Sequence, residues 1–261
     1  MFLRVKNKIY SRLLALVILL IVTSWILVSK DMLAKNFEVF QVESGSSISD
    51  VAKELSDKRL IKSKLFFKSL SKFLGANKKL KSGYYQISPN MSILAFLDNI
   101  SNGSVLTTKV TLIEGKTIQY YFEQLSLDPS LESKGSLEDV MQSIGVKAPY
   151  DGWFFPETYN FNYGESVENV LRRSYKEMQQ KVSDLWINRD KGLPLKSPYD
   201  AIILASLIEN ETALDNEKTL ISGVFLRRIN EGMRLQADPT VIYALGDTYT
   251  PPLKKPDLKI D

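Results

Sequence analysis

Phe40 to Leu55 reads FQVESGSSISDVAKEL, and the same sixteen-residue pattern returns without gaps at Tyr85 (YQISPNMSILAFLDNI) and at Val110 (VTLIEGKTIQYYFEQL). The first and third positions of each copy are apolar (Phe40/Val42, Tyr85/Ile87, Val110/Leu112), the alternation of a half-buried strand. Gly45, Asn90 and Gly115 share the sixth position, and these residue types tolerate a left-handed turn. Ser47, Ser92 and Thr117 stand at the eighth, each followed by isoleucine. A hydroxyl there can accept from an orphan backbone N–H and start a helix, and Asp50 gives the first copy a capping box. Ile48, Val51, Ala52, Leu55 and their equivalents then form a helical stripe. The unit is strand, tight turn, helix.

Between the first two copies, Ser63 to Leu74 predicts a further amphipathic helix through Leu65, Phe66, Leu70 and Phe73. Residues 38–88 therefore read strand–helix–helix–strand. This order resembles a LysM domain, a small module that grips N-acetylglucosamine-containing glycans, and implies a LysM-like domain over residues 38–106. A generic packing unit made of strands and capped helices carries the same pattern.

Toward the N-terminus, Arg4, Lys6, Lys8 and Arg12 supply four positive charges with no acid among residues 1–12. They account for the whole net charge of +4 on a chain of 261 residues, so a basic face for nucleic acid is not implied. Leu13 to Ser29 (LLALVILLIVTSWILVS) is uncharged and mostly apolar, at the short end of the roughly 17–25 residues that span a bilayer. The preceding positives favour a cytoplasmic N-terminus, and Trp25 suits the far interface. A cleaved signal peptide is the rival reading, for which Ser29-Lys30-Asp31 is a poor site. The expectation is a retained single-pass anchor over residues 1–30, with residues 31–261 beyond the cytoplasmic membrane.

The chain has no histidine and no cysteine. A Ser-His-Asp triad, a Cys-His pair, a Cys/His zinc site and disulfides are excluded, and any proton transfer falls to Asp, Glu, Tyr or Lys. No metal or organic cofactor is implied.

After Lys134 the texture changes. Asp151 to Tyr159 (DGWFFPETY) is dense in aromatics, with Glu157 and Tyr159 beside them, which suits either a sugar-binding cleft or a hydrophobic hinge. Val167 to Val182 predicts a helix, and residues 188–198 a loop. Ser197, Pro198 and Asp200 then open a well-marked helix that runs to Thr212 through ASLIENET. On a 3.6-residue turn Leu204, Leu207, Ile208 and Glu211 share a stripe, with Glu209 and Ile202 nearly opposite. Burial on that stripe would favour the protonated acid, the form that a glycosidic leaving oxygen needs from its proton donor; the other reading of the residue alone is an ordinary helix-end Glu that reaches solvent. A helix with core positions Ile221, Val224, Phe225 and Ile229 is expected next, ending at Gly232. In GMRLQADPTVIY, Gln236, Asp238 and Thr240 bunch hydrogen-bonding groups around Pro239, as a turn or as a binding segment.

In that order, the anchor, the LysM-like region, DGWFFPETY, ASLIENET and GMRLQADPTVIY resemble the YceG-like endolytic murein transglycosylases (the MltG family). The resemblance covers nearly the whole chain. It implies an α+β protein whose residues 107–261 form a mixed, mainly helical transglycosylase domain on the outer face of a bacterial cytoplasmic membrane. It also implies Glu211, the second acid of ENET, as the catalytic residue, while Asn210 stands where many relatives carry lysine. Glu157, Tyr159, Gln236, Asp238 and Thr240 are candidates for orienting the sugar. The implied partners are peptidoglycan glycan strands and the peptidoglycan synthases of elongation or division. The family sequence continues past this point with a closing strand and helix, so an incomplete domain is expected at Asp261. Two rivals remain: a membrane-anchored glycan-binding scaffold, and a hydrolytic muramidase using Asp238 to activate water.

Overall fold

Each copy of the pattern forms the element that its residues dictate. In the computed structural model, which describes residues 14–23, 25–26 and 31–257, β1 (Glu38–Val42) leads into α1 (Ile48–Asp57). After α2 (Lys64–Phe73), β2 (Gly83–Ile87) leads into α3 (Ile93–Asn102), and β3 (Thr107–Thr111) into α4 (Ile118–Ser126). The turns take positive φ at Gly45 (82°), Asn90 (63°) and Gly115 (71°). The hydroxyls of Ser47, Ser92 and Thr117 accept the N–H groups of Asp50, Ala95 and Tyr120 at 3.3, 3.1 and 3.3 Å, each relieving an orphan donor of its helix. Asp50 closes the expected capping box.

A further copy becomes visible once the strands are seen. After β4 (Leu131–Glu132) and α5 (Leu137–Ile144), β5 (Thr158–Asn162) turns at Gly164 (φ 80°) into β6 (Glu165–Ser166) and α6 (Val167–Ile187), capped by Ser166. Tyr159, Phe161, Val167, Val170 and Leu171 hold the same positions of the pattern as Phe40, Val42, Ile48, Val51 and Ala52, and all five are buried. The β4–α5 segment is a shorter version, in which Gly135 at φ 79° stands directly before the cap and Ser136 and Asp139 form a capping box.

The copies combine in pairs. β1 and β2 are antiparallel with Phe40 opposite Tyr85, the first positions of their copies. β3 pairs with β5 in the same sense: the hydroxyls of Thr111 and Thr158 meet at 2.9 Å and the Leu112 N–H donates to the Glu157 carbonyl at 3.0 Å. β4 and β6 run parallel.

The chain divides into two compact units, one reaching to Thr108 and including Asn162–Gly164, the other comprising Lys109–Phe161 and the residues from Glu165 onward. The core of the first gathers Phe40, Leu55, Phe67, Tyr85, Ile87 and Phe96. Phe96 meets Phe40 and Tyr85 edge-on at centroid distances of 5.8 and 6.4 Å, contacts worth about 0.5–1.5 kcal/mol each beyond area burial. On α2 the inward residues are Phe66, Phe67 and Ser71, whereas Leu65 and Phe73, expected on the apolar face, are 70% and 87% exposed. The second unit has a main core around Leu112, Leu125, Met141, Phe161 and Leu171. Its remaining helices are α7 (Pro198–Glu211), α8 (Asp215–Asn230) and α9 (Asp238–Leu245). These share a small core of Leu204, Leu207, Phe225 and Ala237; on α8 only Phe225 is fully buried, and Val224 faces solvent.

The fold is mixed α+β and about half helical. At the N-terminus the described residues 14–23 and 25–26 are helical and mostly exposed, but among the described residues no helix is long and apolar enough to cross a membrane. The spanning helix expected over Leu13–Ser29 is therefore not found among them. Leu13, Ser24, residues 27–29 of that run and the basic segment 1–12 lie outside the described residues.

Candidate active site

α7 owes its start to a dense cap. Ser197 accepts from the Asp200 N–H at 3.2 Å, and the Asp200 carboxylate accepts from the N–H groups of Lys196 (2.7 Å) and Ser197 (3.1 Å). The Ser197 hydroxyl also donates to the carboxylate at 2.9 Å, and this bond first, with those from the two N–H groups, holds the Asp200 carboxyl below its usual pKa of 3.8. Both sides of the helix are used: Leu204 and Leu207 enter the small core with Phe225, and Ile202 is buried against Gly152.

Its C-terminal acids differ from the sequence expectation. Glu211 is the last residue of α7 and is exposed, because the Leu204/Leu207 stripe runs past the end of a small core before reaching it. Burial by the fold does not reach this carboxyl. Glu209, expected to be the solvated one, is half-buried and accepts from Lys218 of α8 at 2.9 Å, with Lys218 also 3.0 Å from Asp215. Those two acids hold the Lys218 ammonium above its ordinary pKa. Glu211 makes no hydrogen bond or ion pair among the described residues. Asn210, between them, donates to the Ser206 carbonyl at 2.8 Å and packs on the Gly115 turn; a Cβ at Gly115 would come within 3.1 Å of its Oδ1.

The aromatic loop supplies an anchor for three elements. Asp151 accepts the Ile118 N–H of α4 on one carboxylate oxygen (2.7 Å) and the Tyr243 hydroxyl of α9 on the other (2.7 Å). Its carbonyl accepts the Tyr199 hydroxyl of α7 at 3.3 Å. The bond to Asp151, with burial second, pushes Tyr243 up to about 12. Gly152 follows at φ 82°, with Ile202 so close that a Cβ has no room. Trp153 then stacks on Tyr199 at 5.4 Å with ring planes 9° apart, and meets Tyr175 edge-on. These three rings, with Lys147 and Pro149, line a pocket of about 420 Å³.

The other sequence candidates do not converge on one point. Tyr159 is a core residue; its hydroxyl donates to the Phe155 carbonyl at 2.8 Å and lies 3.3 Å from Glu177, and burial pushes it up to about 12. Glu157 is exposed and accepts from the Thr158 N–H. No hydrogen bond or ion pair among the described residues joins either of them to Glu211. Gln236 is exposed with φ at 51°, a left-handed conformation unusual for a side chain of its size, and Asp238 opens α9. Thr240 turns its hydroxyl back to the Ala237 carbonyl at 2.6 Å. Asp151 and Tyr243 fall inside motifs of the sequence but carry no role there, and Tyr199 is not singled out by the sequence at all. The one local signal was an acid directly before a glycine in an aromatic loop. Among the described residues no group of three acids stands close enough to hold a metal ion.

An endolytic murein transglycosylase of Bacillus subtilis (strain 168) is 28% identical to this chain, over 84% of this chain and 66% of that protein. One of Streptococcus pneumoniae serotype 2 (strain D39) is 27% identical, over 83% of this chain and 44% of its own length. The chain thus spans less than two thirds of the length of these relatives. A solved YceG-like protein from Listeria monocytogenes aligns with 87% of this chain and 81% of its own, at 23% identity and a TM-score of 0.43. The model of the YceG-like family matches residues 40–261, which takes in the repeated units, DGWFFPETY, ASLIENET and GMRLQADPTVIY, and the chain belongs to that family.

Proposed function

We propose that this chain is an endolytic murein transglycosylase that cuts MurNAc–GlcNAc β-1,4 bonds within peptidoglycan strands and leaves 1,6-anhydroMurNAc ends. One observation carries the assignment of its catalytic group. Of the two acids in ENET, Glu209 is committed to Lys218, while Glu211 has no partner among the described residues and is open at the helix end.

Glu211 donates its proton to the leaving glycosidic oxygen and, as carboxylate, accepts the proton of the MurNAc C6 hydroxyl. That hydroxyl attacks C1 of its own sugar, so no water and no second catalytic carboxylate enter the reaction. The internal nucleophile supplies an entropic advantage. A bound glycan covers Glu211, which stands exposed at the helix end. The Trp153/Tyr175/Tyr199 pocket suits the apolar faces of sugar rings, within the size range of ligand pockets. Gln236, Asp238, Thr240 and Glu157 act as orienting groups, and Tyr159 supports them from the core. The apolar run at Leu13–Ser29 holds the protein at the outer face of the cytoplasmic membrane, beside the synthases whose strands it cuts.

The test is mass spectrometry of products from purified glycan strands. Glu211→Gln abolishes anhydro ends, a loss beyond roughly a hundredfold on general acid–base magnitudes, and Glu209→Gln retains most activity. Reducing ends instead of anhydro ends would mean hydrolysis, and uncut strands from the unaltered chain would mean a binding protein.

A further inference from the structure

From Lys58 to Leu97 the chain contains nine basic residues and no acidic one, although beyond the first twelve residues the whole sequence is balanced. The structure gathers these charges around α2. Lys64, Lys68 and Lys72 recur every four positions and form one exposed stripe; Leu65, Ser69 and Phe73 form the stripe beside it. Leu65 is 70% exposed and Phe73 87%, and Leu74 just past the helix is 45% exposed. Lys68 and Lys72 make no ion pair among the described residues, Lys64 is 3.4 Å from Asp57, and Lys78 and Lys79 follow exposed in the next turn. On the flank adjoining Phe73, Phe66 and Trp25 meet edge to face at a centroid distance of 4.9 Å, so Trp25 of the apolar N-terminal run lies against this same helix.

We propose that this face of α2 docks on the surface of an anionic bilayer, with Leu65 and Phe73 entering the acyl boundary and the lysines bonding lipid phosphates. Large apolar side chains beside a lysine stripe are the features of an interfacial helix. A soluble polyanion would engage the lysines and leave Leu65 and Phe73 in water, whereas a bilayer uses both stripes together. Contact between Trp25 and Phe66 places the face beside the chain's most apolar segment. The docking is independent of the transglycosylase reading.

Because the chain lacks cysteine, Phe73→Cys and, in the other unit, Leu127→Cys (wild-type Leu127 is 84% exposed) each carry a single environment-sensitive fluorophore. The full chain is reconstituted in phosphatidylcholine vesicles with and without phosphatidylglycerol, and quenching by brominated acyl chains is read. The expected result is quenching at position 73 in the anionic vesicles and none at position 127. Lys68→Glu with Lys72→Glu lowers the docked-to-free ratio at least about tenfold, since each basic residue near an anionic surface contributes a several-fold factor. Matched thermal unfolding of this variant excludes a folding defect, and Lys68→Gln with Lys72→Gln replaces it if the melts differ. Equal quenching with and without phosphatidylglycerol, or a probe at 73 as unquenched as at 127, overturns the proposal. Binding of inorganic polyphosphate without quenching in vesicles reassigns the lysines to a soluble polyanion and overturns it as well.

Discussion

Asp151 and Tyr243, 92 positions apart, share a 2.7 Å hydrogen bond that ties the aromatic loop to the last turn of α9. The other oxygen of the same carboxylate holds the first N–H of α4. One side chain therefore sets the spacing between the Gly115 turn, the Trp153 pocket and the segment carrying Gln236 and Asp238. Asp151→Ala removes two hydrogen bonds to a charged group and should lower stability by about 2–4 kcal/mol, read by urea unfolding. Tyr243→Phe removes one and should cost about half as much. Asp151 raises the Tyr243 phenol from 10.0 to about 12, so the stabilisation is complete below pH 10 and disappears as pH rises through about 12. The melting temperatures of wild type and Tyr243→Phe should converge over that interval; a constant difference would disprove the assignment.

Gly152 answers two demands at once, a left-handed backbone and the close approach of Ile202. Gly152→Ala should destabilise by about 2–4 kcal/mol, combining a left-handed penalty with overpacking. Adding Ile202→Leu to Gly152→Ala, which removes the Cγ2 methyl that a Cβ at 152 would strike, should recover the packing share but not the backbone share. A double-mutant cycle on thermal unfolding measures the two, and strict additivity would show that the contact carries no energy.

At Gln236 the φ of 51° is kept by a residue that does not favour it. Gln236→Gly should stabilise the fold by about 1 kcal/mol while lowering formation of anhydro ends, if the strain serves to aim the side chain at glycan. Unchanged product yield with raised stability would leave the strain without a catalytic purpose.

Acid sensitivity should include the cap of α7. The Asp200 carboxyl lies below its ordinary 3.8, so its contribution is present above that value and is lost as pH falls through the lower, folded-state value. Asp200→Asn should therefore flatten the acid limb of the stability profile below about pH 4 and leave its shape between pH 5 and 7 unchanged. Circular dichroism melts across the acid range provide the check.

Local chemistry was legible where one residue type serves one backbone need. Gly45, Asn90 and Gly115 were read as left-handed turns, and Ser47, Ser92 and Thr117 as caps, because those demands lie within six residues of sequence. The Tyr159 copy obeys the same rule: within an aromatic stretch that suits a cleft or a hinge equally, Tyr159 is the first core position of that copy. On α2, aromatic identity suggested burial for Phe73, but it closes the helix, past the reach of the core that covers Phe66 seven residues earlier on nearly the same side.

By itself, then, the sequence determined the α+β units, their turns and caps, and the motifs that identify the family. Which acid of ENET is free was decided only in three dimensions. Helical periodicity put Glu211 on an apolar stripe, yet a stripe is buried only as far as its partners extend, and Phe225 and Ala237 end before that position. The partner of Glu209 is Lys218 on another helix, and that of Asp151 is Tyr243 at long range. Periodicity describes one helix at a time, whereas burial, ion pairing and the convergence of Asp151 with Tyr243 depend on where a second element ends.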